Sequence, residues 1–176
     1  MNRLSRLICG AFFVASVAVV PAFGQVPTTV ILVRHAEKGG DPSERDPELS
    51  EAGQARAQTL AHVLGEIGVT TIFSTPYLRT QHTAQPLADV LGIEVTTTPI
   101  GRSYVEDLAA MIKSDHRGEI VVVVSHSNTV PPIVNALGAG PFENLSEEEY
   151  DDLFVVTIGA DGQVTALRLR YGVPTP

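Results

Sequence analysis

Two uninterrupted apolar runs constrain this chain more than any other feature: Thr28-Thr29-Val30-Ile31-Leu32-Val33 and Val121-Val122-Val123-Val124. Both are rich in β-branched residues, and neither alternates polar with apolar positions. Continuous hydrophobicity over so short a span predicts a strand buried on both faces of a sheet. The second run is the clearest central strand in the chain.

The segments around these runs fit the same frame. Residues 69–74 and 93–98 read as further short strands. Ser50 reads as the N-cap of a helix reaching about residue 67, with Leu60, Val63, Leu64 and Ile67 as its apolar stripe. Other helices are expected over 79–91, interrupted early or kinked at Pro86, over 104–113, and from 129 to 137, where Pro131 falls in the first turn. Residues 153–158 and 164–170 flank Ala160-Asp161-Gly162-Gln163, an Asp-Gly hairpin signal. Strands alternating with helices predict an α/β fold. The expected form is a three-layer sandwich, with a mostly parallel central sheet flanked by helices and a C-terminal antiparallel hairpin.

The N-terminus has a different composition. Arg3 and Arg6 precede an apolar run from Leu7 to Val20. Pro21 ends that run, and Ala22-Phe23-Gly24 puts small residues at the −3 and −1 positions before Gln25. This three-part pattern reads as a signal peptide over residues 1–24, giving a periplasmic or secreted protein with no stable membrane insertion after cleavage. An uncleaved anchor would leave the same domain outside the membrane. Cleavage would remove Arg3, Arg6 and the single cysteine, Cys9, moving the net charge from −8 to −10. Residues 25–176 then read as one domain without disulfide or thiol chemistry, stabilised by its core alone. So acidic a chain does not bind nucleic acid or anionic lipid nonspecifically. An anionic substrate would need a local cluster of positive charge, which makes the placement of the few arginines informative.

In sheets of this type ligands bind beyond the carboxyl ends of the strands. Arg34-His35 leaves the first strand, His126 follows the strand ending at Ser125, and Ser74 to Arg79 leaves the second strand. Three strand exits therefore deliver two histidines and two arginines to one rim. Guanidinium forks suit phosphate oxygens, and a helix N-terminus beside Arg79 would add backbone donors. The histidines lack the spacing of the usual metal motifs, so no metal is expected. A serine nucleophile in Ser125-His126-Ser127 would lack its G-x-S-x-G elbow. Glu37 and Lys38 could meet substrate or pair with each other on a loop; His62, His82 and His116 read as surface residues. Residues 146–152 read as a solvated helix or turn face, or as an acidic patch for a partner.

Four ordered segments carry a family resemblance. Val33-Arg34-His35-Ala36-Glu37 resembles the R-H-G signature of the histidine phosphatase (phosphoglycerate mutase-like) superfamily. Leu49 to Gly53 resembles its L-T-x-x-G step, Ser74 to Arg79 with Thr83-Ala84 its S-S-P-x-x-R-x-x-x-T-A segment, and Ser125-His126-Ser127 its G-H-S segment. The match covers about residues 30–137, at the spacing of the small branch. The resemblance implies that His35 is the nucleophile, forming a phosphohistidine, while Arg34, Arg79 and His126 hold the phosphate oxygens of a small phosphorylated substrate without a cofactor. Ala36 and Ser125 stand where glycines are usual. The general acid is the open position: Glu106, 27 residues after Arg79, is the candidate, with Asp107 next, and some small members of the family have none. The expected activity is an exported, metal-independent phosphomonoesterase of the histidine acid phosphatase type. The alternatives are a phosphohistidine or phosphoprotein phosphatase, and a catalytically weak phosphate-binding envelope protein. Substrate identity and oligomeric state are not readable.

Overall fold

The computed structural model of the chain describes residues 26–41 and 43–176; the expected leader, with Cys9, lies outside the described residues. Along the chain run β1 (Thr28–Arg34), α1 (Glu51–Leu64), β2 (Thr71–Ser74), α2 (Leu78–Leu91), β3 (Val95–Thr97), α3 (Tyr104–Asp115), β4 (Ile120–Ser125), α4 (Val130–Leu137), β5 (Asp152–Ile158) and β6 (Val164–Arg170). The six strands form one sheet in the order β3-β2-β4-β1-β5-β6. The first four are mutually parallel, and β5 and β6 extend the sheet antiparallel from β1. This is the α/β sandwich and C-terminal hairpin expected from the sequence.

The unbroken apolar runs are explained by burial on both sides. Side chains alternate faces along a strand, so each run splits between two cores. Val30, Leu32, Val121 and Val123 pack with Leu108 and Ile112 of α3 and Ile133, Val134 and Leu137 of α4. Ile31, Val33, Val122 and Val124 pack on the opposite face with Leu60 and Leu64 of α1 and Leu87 of α2. Polar residues at alternate positions would have been driven into one of these cores, at a cost that burial without partners makes prohibitive.

Three local expectations are corrected. Helix α1 stops at Leu64 and buries Gly53, Arg56, Ala57, Leu60, Ala61 and Leu64. Val63 and Ile67, assigned to its inner stripe, are exposed at 46% and 41%. The small residues Gly53, Ala57 and Ala61 carry the inner face because α1 lies close to its neighbours. Helix α2 runs without interruption through Pro86. The carbonyl that Pro86 leaves without an intrahelical donor belongs to His82, an exposed residue, so water can satisfy it. The acidic run is not a solvated face throughout. Asp151 and Asp152 are buried, and the arginines of β6 meet them: Arg168 donates from Nε and Nη2 to Asp152 at 2.6 and 2.8 Å, and Arg170 donates to Asp151. Among the described residues no helix is long and apolar enough to cross a membrane.

Candidate active site

Strand register brings the two histidines together. β1 and β4 are adjacent and parallel, with Arg34 opposite Ser125. The next residue of each strand, His35 and His126, therefore leaves the sheet at the same level. The His35 N–H still donates to the Ser125 carbonyl at 2.8 Å. The two rings lie edge to face, centroids 5.5 Å apart, and both residues are buried. β2 lies on the other side of β4, with Ser74 opposite Val124. Thr75 consequently emerges beside His126, its Oγ1 3.1 Å from His126 Nε2. A short turn then starts α2, whose first turn carries Arg79.

The proton on His35 can be assigned from its partner. Nδ1 lies 2.8 Å from the Ala36 carbonyl, which can only accept, so the neutral ring is protonated at Nδ1 and has its free lone pair on Nε2. Burial, followed by the charges of Arg34, the His126 ring and Arg79, lowers the His35 pKa to about 3, the Ala36 hydrogen bond opposing the shift. Burial, then Arg79 and Arg34, lowers that of His126 to about 4, with Glu147 and Asp46 opposing. Both imidazoles are therefore neutral at pH 7. The Ala36 position, where a glycine was expected, is fully buried. Its N–H donates to Thr83 Oγ1 at 2.9 Å, and Thr83 in turn donates to the Arg79 carbonyl, which ties the loop after β1 to α2. Ser125, the other departure, shares its hydroxyl with Tyr104 and Thr129 in the interior.

Arg34 is 1% exposed, and the loop between α4 and β5 holds it. Nη1 donates to the carbonyls of Ser146 and Glu149 at 2.9 and 2.8 Å, and Nη2 to Glu147 Oε2 at 3.1 Å. The Tyr150 ring stacks with its centroid 4.0 Å from Cζ and lies 6.0 Å from the His35 ring. Arg79 donates from Nη1 to Asp46 at 3.3 Å and stacks on Tyr77, whose ring also edges His126. In both arginines Nε is buried and has no hydrogen-bond partner. Buried donors are nearly always paired, so two unpaired guanidinium donors close to two neutral imidazoles make this cluster a candidate anion site. The helix α2 contributes less than expected, because the first N–H, that of Leu78, donates to the Asp46 carboxylate. Arg79 and Tyr150 also line an open hollow of about 340 Å³ with Lys38, Asp41 and Arg45, wide enough for the remainder of a small ester.

Of the five residues expected at the site, the fold gathers Arg34, His35, Arg79 and His126. Glu106 is exposed in the first turn of α3, and no hydrogen bond joins it to the cluster; Asp107 accepts from Ser103 at 2.6 Å. Glu37 pairs with neither Lys38 nor the site. Its carboxylate sits in the fork of Arg56, at 3.0 Å from Nε and 2.7 Å from Nη2. Thr75, Ser127, Glu147 and Tyr150 were missed. Thr75 follows a strand end and could have been found by the same reasoning as His126. Glu147 and Tyr150 sit in an acidic stretch whose composition resembles any solvated loop. Among the described residues no three His, Cys, Asp or Glu side chains converge as metal ligands.

Comparison with known proteins finds similarity to one family over part of the chain and to solved structures of the same fold. Residues 30–100 match the histidine phosphatase superfamily (branch 1). Phosphoserine phosphatase 1 of Hydrogenobacter thermophilus is 41% identical over 71 residues, which are 38% of this chain and 34% of that protein. The matched stretch thus spans about a third of that relative's length. Among solved structures, the protein histidine phosphatase SixA complexed with tungstate superposes with a TM-score of 0.62 at 18% identity, covering 81% of this chain and 96% of SixA. The mycobacterial glucosyl-3-phosphoglycerate phosphatase Rv2419c gives 0.59 at 15% identity, covering 84% of this chain and 100% of Rv2419c. At these identities the structural likeness concerns the fold.

Proposed function

From the match of residues 30–100 to the histidine phosphatase superfamily (branch 1) and the site geometry, we propose that this chain is a phosphohydrolase of that superfamily that cleaves a phosphomonoester through a phosphohistidine on His35. One observation carries the reading: His35 is a neutral, buried imidazole with a free Nε2 lone pair, under the charges of Arg34 and Arg79, whose Nε donors are unpaired. Nε2 attacks phosphorus, forming the P–N bond as the P–O bond to the leaving group breaks. The Arg34 and Arg79 donors and the second imidazole, His126, take the non-bridging oxygens. Water then displaces His35 and releases inorganic phosphate. The protein's part is placement and charge stabilisation, which phosphoryl transfer chiefly requires, and neither a metal nor a cofactor enters the proposed steps.

The test is turnover of p-nitrophenyl phosphate by the purified protein with EDTA present. Acid-labile, base-stable phosphoenzyme should be trapped on rapid quenching. H35A should form no phosphoenzyme and lose about 10³-fold or more in kcat. Wild-type activity that disappears on chelation, or phosphoenzyme persisting in H35A, would refute the mechanism.

The reading extends to compartment. The basic, apolar and small-residue pattern of residues 1–24 supports export of a single catalytic domain, residues 25–176, to the periplasm or exterior. N-terminal sequencing of protein recovered from a bacterial host should begin at Gln25, and an intact N-terminus on cytoplasmic protein would overturn the export proposal.

A further inference from the structure

Expelling an alkoxide requires a proton, and the nucleophile and its arginines do not supply one. The carboxylates of Glu37, Asp46 and Glu147 lie near the cluster. Glu37 is held in the Arg56 fork. Asp46 accepts the Leu78 N–H with both oxygens at 3.0 and 3.1 Å and Arg79 Nη1 at 3.3 Å, so it fixes Arg79 to the start of α2 and is less open to solvent than Glu147. Glu147 differs from both. Its side chain is 74% exposed, yet Oε2 accepts from Nη2 of the buried Arg34 at 3.1 Å and Oε1 from the Ser127 hydroxyl at 2.6 Å. Ser127 directly follows His126. The carboxylate therefore stands at the mouth of the site, bonded to one phosphate-binding arginine and to the neighbour of the second histidine, with solvent on its other side.

We propose that Glu147 is the proton-transfer residue of this reaction. The proposal rests on the phosphohistidine reading and adds its missing acid. As Nε2 of His35 bonds to phosphorus and the ester P–O bond breaks, the Glu147 carboxyl gives its proton to the departing oxygen. In the second half the carboxylate takes a proton from water as the water oxygen bonds to phosphorus and the P–N bond breaks. The carboxyl is regenerated, and the net change is one ester and one water converted to one alcohol and one phosphate.

The charge state follows from its neighbours. In the free protein the Ser127 hydroxyl, then the Arg34 guanidinium and the Lys38 ammonium, hold the Glu147 carboxyl below its ordinary range, so it is ionised; the nearby His126 is neutral. A phosphate dianion drawing on Arg34 competes for a donor that Glu147 now uses and places like charge beside it. Both effects raise a carboxyl pKa. Glu147 thus takes up a proton as the substrate binds, which is when one is needed.

The experiment compares full-chain wild type and E147Q on p-nitrophenyl phosphate, whose leaving group departs without a proton, and on glycerol 2-phosphate, whose alkoxide requires one. E147Q keeps an acceptor for Ser127 and Arg34 but cannot donate the carboxyl proton. Its kcat should fall about 100-fold on glycerol 2-phosphate and less than roughly threefold on the nitrophenyl ester. E147D, which retains a carboxyl, should recover part of the loss. Equal losses on both esters would overturn the proposal. So would a lower KM with unchanged kcat, which would make Glu147 an internal competitor for Arg34, or a leaving-group-dependent loss in E106Q instead. If wild type turns over neither ester, the phosphatase reading itself fails, and a normal wild type with an unselective E147Q refutes only the assignment of Glu147.

Discussion

A histidine that attacks phosphorus must be neutral, and here neutrality comes from burial reinforced by charge. The arginines that would hold the phosphate also disfavour protonation of His35 and His126, so in the proposed reaction one arrangement would both bind the anion and keep His35 ready to attack. Because kcat/KM reports ionisation of the free enzyme, its acid limb should follow the lowered values. For p-nitrophenyl phosphate, whose leaving group needs no proton, kcat/KM corrected for ionisation of the substrate should remain level from pH 7 down to about 5. It should then fall as the pH passes through about 4 and about 3, where His126 and His35 gain protons. An acid limb centred near 6.5 in a pH–rate series would mean that both rings are solvated and that the buried geometry is wrong. Four of the site residues were legible from sequence because each follows or lies near a recognisable strand end. Glu147 was not. Its environment depends on a loop with no periodicity, folded over a residue 113 positions away.

At the scale of elements, the legible features were those encoded by local pattern. The β-branched runs fall on β1 and β4, the Asp-Gly signal falls between β5 and β6, and Ser50 caps α1, its Oγ accepting from the Gly53 N–H at 3.1 Å. The inner face of α1 departs from the apolar stripe because close approach, and not hydrophobicity, selects the residues there. Gly53 is inward because the chain after His35 passes so close that a Cβ there would collide with the Glu37 carbonyl. Arg56 is inward because three acceptors wait for it. A pattern search for large apolar residues finds neither. The continuity of α2 through Pro86 was likewise decided by context, since the cost of a proline depends on whether its orphaned carbonyl reaches water.

Over the whole molecule, one buried arginine joins segments that no local pattern links. Arg56, on α1, donates to Glu37 in the loop after β1 and to the carbonyls of Tyr171 and Val173 at 2.8 Å each, beyond β6. With 3% of the Arg56 side chain and 21% of the Glu37 side chain exposed, removing one partner strands a charge and two carbonyls in poor contact with water. R56A should therefore cost roughly 3 kcal/mol in denaturant unfolding, in the range for breaking a buried pair. It should also lower kcat through the displaced loop, with R56K recovering only part of each because lysine lacks the fork. A loss within about 0.5 kcal/mol would show the clamp to be superficial, since that is the range of ordinary surface substitutions.

By itself the sequence determined the layer architecture and the identity of the four residues at the strand ends, because burial on two faces and the ends of apolar runs are properties of consecutive residues. It could not determine which strands would be neighbours. The order β2-β4-β1 places the exits of β1 and β4 side by side at matched register, and only that adjacency turns two distant histidines into a pair 5.5 Å apart. Nor could it determine the pairing of charges. Whether a glutamate in an acidic loop meets water or a buried guanidinium depends on long-range packing, and a charge has no sequence period from which its partner can be read.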